Sequence, residues 1–355
     1  MSQSAWYARR VLPVVAALAM TACSLEPKPG AAPPPTEKAD KRPAAAPAKP
    51  RKLAGVVFQE DMFFQLVLLG MKQAAQAGGV EIKTASCSNK PDKEGELITT
   101  YLADKVDAIV ISAVSPKGSV AALQQAHDRG VPIITCNTKL DADFPRTFIE
   151  CSPEDLGAKT GKAARAYIES KLGGKAKVAI IQFKSQLAEQ SLARVGGFKK
   201  ALEGLPGVAY VADQDAHLTE KATEKVRDIL TQHKDLDLVY AANEGGTVGA
   251  TLAVKNANLG AQTKVFGTDV SDQLLEFLKS PDDILQAICC QQPVEIGRRA
   301  VQAALGVLDG KPVEPKTMLE GILLSRSDAP GLAKFAEQYK EWVAGLSAPT
   351  PGQGK

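Results

Sequence analysis

From Leu53 onward one pattern recurs to the end of the chain: a short β-branched or apolar run ends in small or polar residues, and a stretch with helical spacing follows. The strands predicted in a first series are Ala54 to Phe58, Val80 to Thr84, Ala108 to Ser112, Pro132 to Cys136 and Thr147 to Glu150. A second series runs Lys177 to Gln182, Val208 to Ala212, Leu236 to Ala241, Lys264 to Gly267 and Leu285 to Cys290. Helical segments lie between them, among them Phe63 to Ala77, Lys117 to Asp128, Asp155 to Leu172, Glu189 to Leu202, Lys221 to Gln232 and Pro293 to Leu308. Strands that alternate with helices form parallel sheets covered on both faces, which fixes the class as α/β. The stretch is longer than one core usually holds, so the two series are expected to form two doubly wound lobes.

What precedes Leu53 is of another kind. Arg9 and Arg10 stand before an apolar run from Val11 to Met20, which ends at Met20-Thr21-Ala22-Cys23. A run of about ten residues is too short to span a bilayer and reads as a secretory signal. Residues 24–52 are rich in Pro, Ala and Lys, carry Leu25 as their one large apolar residue, and read as a tether. Residues 347–355 read as a flexible tail. Charge differs by segment: residues 1–23 hold two arginines and no acid (+2), and the tether seven basic and three acidic residues (+4). Against the total of +3 this leaves −3 for the rest. That balance lacks the basic footprint of a nucleic-acid binder, while the tether suits an anionic membrane surface.

In doubly wound sheets ligands bind beyond the carboxyl ends of the strands. The residues there are Gln59-Glu60-Asp61, Ser112, Asn137-Thr138, Asn243-Glu244, Thr268-Asp269 and Gln291-Gln292. Carboxylates, carboxamides and hydroxyls of this kind suit a ligand rich in hydroxyl groups.

Several separated pieces then carry a resemblance, in order along the chain: Val56-Val57 leading to Phe63-Phe64 and Gly70, Val131-Pro132-Ile133-Ile134-Thr135, Arg194-Val195-Gly196-Gly197-Phe198, Ala242-Asn243-Glu244, Phe266-Gly267-Thr268-Asp269, and Gln291-Gln292-Pro293 followed by Ile296-Gly297. Together they resemble the ribose-binding-protein family of periplasmic binding proteins, and the leader resembles a bacterial lipoprotein signal with Cys23 as the lipidated residue. The resemblance implies the type I periplasmic binding protein fold, with a first lobe of 53–151 plus 292–321, a second of 152–291 plus 322–346, and a three-crossover hinge near Ser152, Gln291 and Ile322. It implies that Phe63 or Phe64 offers an aromatic face to a sugar, that Arg194 donates to ring or hydroxyl oxygens, and that Asn243, Asp269 and Gln291 complete the second lobe's and the hinge's hydrogen bonds. On the first lobe Asp61 and Ser112 fall at matching positions. Asn137 and Thr138 stand where pyranose binders of the family carry an Asp-Arg pair, which opens the ligand to other sugars, polyols, furanoses and nucleosides.

The function so implied is capture, without chemistry or cofactor, of a small polar, sugar-like ligand by a monomeric protein on the extracytoplasmic face, lipid-anchored and delivering to an ABC permease; a sensor protein is the alternative partner. Other motifs fall short. Gly157-Ala158-Lys159-Thr160 lacks the glycine spacing of a phosphate loop, and His127, His217 and His233 are scattered with no metal-ligand spacing. His217 does fall in a loop that the family uses near its ligand. Strand-end carboxylates alone make a weak case for an enzyme. Besides Cys23 the chain has Cys87, Cys136, Cys151, Cys289 and Cys290, an odd number for an oxidising compartment. Cys136 and Cys151 are the candidates for a bridge, set against buried apolar thiols as the plainer reading.

Overall fold

The computed structural model describes residues 51–347. The leader, Cys23, nearly all of the tether and the last eight residues lie outside them. Two six-stranded sheets form. The first contains β1 (Lys52–Val57), β2 (Glu81–Ser86), β3 (Ala108–Ile111), β4 (Ile133–Cys136), β5 (Thr147–Cys151) and β11 (Lys316–Leu319), in the order β11-β5-β4-β3-β1-β2. The second contains β6 (Lys175–Gln182), β7 (Gly207–Asp215), β8 (Leu238–Ala241), β9 (Lys264–Thr268), β10 (Leu285–Cys290) and β12 (Ile322–Ser325), in the order β12-β10-β9-β8-β6-β7. All pairings are parallel except that of β12 with β10. The two sheets therefore repeat one topology, and each reverses its strand order at one point, β1/β3 and β6/β8. This is the two-lobed α/β fold read from the alternation.

The central strands are apolar on both faces because helices cover both. All residues of β3, β4, β5, β8 and β9 are buried. The helices are α1 (Met62–Ala77), α2 (Pro91–Ala103), α3 (Val120–Asp128), α4 (Pro153–Lys171), α5 (Ala188–Ala201), α6 (Thr219–Gln232), α7 (Glu244–Asn256), α8 (Asp272–Lys279), α9 (Pro293–Leu308) and α10 (Ala329–Leu346). Ile296, Ala300, Val301 and Ala304 of α9 join the core of the first sheet, whereas Leu332, Phe335 and Tyr339 of α10 join that of the second. Leu66 and Leu69 of α1 also belong to the second core, so one face of α1 packs across the boundary between the lobes.

Three segments cross between the sheets: β5 to α4, β10 to α9, and β11 to β12. They are tied to one another. Lys159 Nζ reaches Asp155 (3.0 Å), Glu320 (2.9 Å) and the carbonyl of Gly321 (2.9 Å), while Asp155 accepts from Gly321 N at 2.8 Å. The backbone N–H of Gln292 donates to the Cys151 sulfur at 3.2 Å.

Strand boundaries differ from the sequence reading in instructive ways. β1 begins at Lys52 rather than Ala54, because Lys52 N donates to Asp107 (2.7 Å) and Arg51 pairs with Asp309 (2.6 Å). β7 extends to Asp215, with Asp213 and Asp215 held by Gln182 and by Ser185 N. β11 and β12, absent from the sequence reading, are four-residue edge strands: β11 alternates exposed and half-buried residues, and the apolar run of β12, Ile322 to Leu324, is only three residues long. The five cysteines among the described residues are free and buried. Cys136 opposes Ile149 in the β4–β5 register, which leaves Cys151 two positions further on, a diagonal rather than a facing pair.

Candidate functional site

A cavity of about 610 Å³ lies where the carboxyl ends of both sheets meet, lined from both lobes. Each lining side chain is placed by what ends a strand or starts a helix. Asp61 caps α1, its Oδ1 accepting from Phe64 N at 3.1 Å, so Phe63 and Phe64 fall in the first turn beside the cavity. Phe64 is buried edge-on against Phe58 (centroids 4.5 Å apart) and Phe63 (4.9 Å), whereas Phe63 is only half-buried in the cavity lining. Asn243 caps α7 through Gly246 N (3.1 Å), and its Nδ2 donates to the carbonyl of His217 at 2.9 Å, which holds the β7–α6 loop at the cavity wall.

Arg194 is the central cation. Its side chain is 4% exposed, and Nη1 donates to the carbonyl of Ala242 (2.8 Å) and to Asp269 Oδ2 (3.0 Å). The guanidinium lies 5.0 Å from the ring centre of Phe183, and its Nε has no partner among the described residues. Asp269, in a left-handed conformation (φ 70°), also accepts from Glu244 N (3.2 Å) and from Gln291 Nε2 (3.0 Å). One carboxylate thus gathers groups that follow β8, β9 and β10. The backbone of Arg194 is fixed by a close crossing of α4 and α5: a Cβ at Gly157 would overlap the Arg194 carbonyl. The glycine that suggested a phosphate loop serves this crossing instead.

Burial sets the protonation of the other acids. It pushes the Glu244 carboxyl up to about 7, with help from the neighbouring charges of Asp269 and Asp61 and against a hydrogen bond from Ser271. Asp61 is raised by the surrounding walls and by Asp269, opposed by its hydrogen bonds to α1, although solvent reaches it through the cleft. Outside the cavity lining, burial raises Glu150 to about 7, with Lys316 3.8 Å away pulling the other way.

Of the residues singled out from the sequence, Asp61, Phe63, Phe64, Asn137, Arg194, Asn243, Asp269 and Gln291 come together in the cavity lining. Ser112 and Thr138 do not line it. The Ser112 N–H still bonds to Val56 in the sheet (2.9 Å), so the first wall residue after β3 is Val114. Thr138 is drawn into a tight turn by its N–H bond to Cys136 (2.6 Å). Both hydroxyls are buried without a partner among the described residues. Phe183, Gln190 and His217 also line the cavity. Gln190 Nε2 donates to the Asn137 carbonyl at 2.8 Å, a hydrogen bond that spans the two lobes. Phe183 follows β6 directly, so extending the strand-end rule to β6 finds it; nothing local in the sequence marks Gln190.

The periplasmic binding protein domain matches residues 55–312, most of the chain. The chain belongs to that family. Two curated relatives agree over most of their length. The ABC transporter periplasmic-binding protein YphF of Escherichia coli (strain K12) is 26% identical over 308 residues, 85% of this chain and 91% of its own. The ribose import binding protein RbsB of Bacillus subtilis (strain 168) is 26% identical over 306 residues, 83% of this chain and 91% of its own. An ABC transporter solute binding protein from Bacillus halodurans, solved with myo-inositol, superposes with a TM-score of 0.71 at 20% identity, covering 81% of this chain and 98% of that one, a likeness of fold. The fold is that of the type I periplasmic binding proteins, and the cavity lies between its two lobes.

Proposed function

We propose that this protein captures a hydroxyl-rich solute, a sugar or related polyol, in the cleft between its lobes, without chemical change, and hands it to an ABC permease. The observation that carries the reading is the cavity itself. It joins a half-buried aromatic ring, Phe63, to a fixed array of donors and acceptors, Arg194, Asp269, Asn243 and Gln291, in a chain of the periplasmic binding protein family. An aromatic face covers the C–H side of a sugar ring, and planar forks and carboxylates pair with its hydroxyls. Sugar import is what the names of relatives such as RbsB record for those proteins. The sequence of the leader supports an extracytoplasmic location, with lipid attachment at Cys23 and residues 24–52 as the leash. The first lobe is assigned to 53–151 plus 292–321 and the second to 152–291 plus 322–346, and the protein acts as a monomer.

The test is thermal unfolding of the full chain against pentoses, hexoses, polyols, nucleosides and furanoses. A ligand that binds only the folded state raises the melting temperature. At least one compound is expected to do so, and Asp269→Ala is expected to abolish the shift. A panel that produces no shift, together with a purified protein that carries no bound solute, would end the reading.

A further inference from the structure

The charges in the cavity do not balance. Its lining holds three carboxylates, Asp61, Glu244 and Asp269, and one guanidinium, Arg194. Arg194 and Asp269 neutralise each other at 3.0 Å, and the second Asp269 oxygen is taken by Gln291. Asp61 and Glu244 have no Lys or Arg within ion-pair distance among the described residues. The one other basic side chain in the lining, His217, shares its Nδ1 with Ser185 at 3.2 Å. Asp61 follows β1 of the first sheet and Glu244 follows β8 of the second, so the two unpaired acids belong to opposite walls. Like charges on facing walls oppose closure unless a proton or a cation comes between them. A second feature is independent of the acids: the Nε–H of Arg194, nine-tenths buried in the wall, is a donor with no protein acceptor. An orphaned buried donor of this sort is costly, and with only Nη1 engaged among the described residues the guanidinium keeps donors for a ligand oxygen.

We propose that the ligand is a hydroxylated primary amine, an amino sugar or amino cyclitol, whose ammonium group bridges Asp61 and Glu244 while one of its oxygens accepts from Arg194. This rests on the solute-capture reading above and narrows it. An ammonium offers three donors and a full charge, enough for a carboxylate from each wall. Its arrival turns repulsion between the lobes into attraction, so binding and closure are coupled through the same two residues. Burial raises both acids; the charge of Asp269 adds to it at each, and at Glu244 the charge of Asp61 on the opposite wall adds a smaller part.

The experiment is calorimetric titration of the full chain with D-glucosamine, D-galactosamine and scyllo-inosamine, each beside its hydroxyl counterpart, D-glucose, D-galactose and scyllo-inositol. At least one amine is expected to bind roughly ten- to a hundredfold more tightly than its counterpart, the range of a charge-assisted hydrogen bond in a buried site. Glu244→Gln and Asp61→Asn should each erase most of that preference. Asn caps a helix as well as Asp does, so Asp61→Asn keeps α1 intact and carries the test if the other variant misfolds. A counterpart that binds as tightly as its amine, or an amine preference that survives both substitutions, overturns the proposal and leaves solute capture standing. The same holds if all six fail while another compound of the wider panel binds. If nothing in either panel binds, the capture reading itself is what fails.

Discussion

The two walls of the cavity are built from different materials. The first lobe contributes the rings of Phe58, Phe63 and Phe64 beside the amides of Gln59, Asn89 and Asn137, with Asp61 as its one charge, whereas the second adds to Phe183 the charged and polar groups of Arg194, Asp269, Glu244, Asn243 and His217, tied together by hydrogen bonds. Non-directional apolar contact tolerates many ligands of the right shape, while hydrogen bonds held in fixed directions select among them. Under the proposed capture of a sugar, the first wall, with three of the rings, would chiefly hold a ring face and the second, with most of the charges, would chiefly discriminate. The two walls also differ in how they are held. Phe64 is locked by the core beneath it, but Arg194 and Asp269 are locked chiefly by each other and by the crossing of α4 and α5.

The sharpest break of this division is Arg194→Ala. It removes the donor and leaves Asp269 without its ion pair, so it is expected to cost about 3 kcal/mol of stability and to abolish solute binding, read by denaturant unfolding and by the ligand-induced melting shift. Gly157→Ala comes next. The added methyl must push α5 away from α4, which should cost about 1–3 kcal/mol and weaken binding although residue 157 touches no ligand. Unaltered affinity in that variant would show that the helix crossing does not position Arg194. Phe63→Ala should lower affinity by about 1–2 kcal/mol, close to tenfold or a little more, with a small loss of stability, whereas Phe64→Ala should lose about 3 kcal/mol of stability because its ring is core. Equal behaviour of the two rings would erase the distinction between the exposed and the buried member of the pair.

Glu244 gives a smaller effect with a definite sign. Its carboxyl is raised from 4.5 to about 7 in the folded protein, so between those values the folded state holds a proton that the unfolded state has released, and stability falls as pH rises through the window. Glu244→Gln should therefore stabilise the unliganded protein by about 1–2 kcal/mol near pH 8 and by little near pH 4, in melting curves taken at both. A stabilisation independent of pH would contradict the charge origin of the effect. Gln190→Ala removes the hydrogen bond to the Asn137 carbonyl and should raise the ligand off-rate by a few-fold, on the order of 1 kcal/mol, in stopped-flow dissociation.

Much of the fold is legible in the sequence because its strands are buried on both faces and read as apolar runs bounded by polar residues. The runs of β3, β4 and β8 are examples. The edge strands β11 and β12 are less so: Lys316 to Leu319 alternate exposed and half-buried residues, and the apolar run of β12 is only Ile322 to Leu324, too short to stand out. The strand-end rule finds Asp61, Asn243, Asp269 and Gln291 because a carboxylate or carboxamide placed there also caps a helix or ties two strands, and so is local in origin. The rule overshoots at Ser112, where the ladder continues by one residue. It also misses Gln190, whose place in the cavity depends on the approach of two lobes that the sequence keeps far apart. Glu244 was visible as a strand-end residue, but its missing counter-charge is a property of the assembled cavity.

The claim that the two walls close on a solute is tested most directly by a distance across the cleft. Lys139 and Glu189 are exposed and lie close in sequence to Asn137 and Gln190, the two ends of the hydrogen bond between the lobes. Spin labels on Lys139→Cys and Glu189→Cys in the full chain, measured by double electron–electron resonance, report the opening of the cleft. With the compound that raises the melting temperature most, the distribution should collapse to one short, narrow distance from a broader or longer one in its absence. A bound compound that raises the melting temperature yet leaves the distribution unchanged would contradict capture by closure.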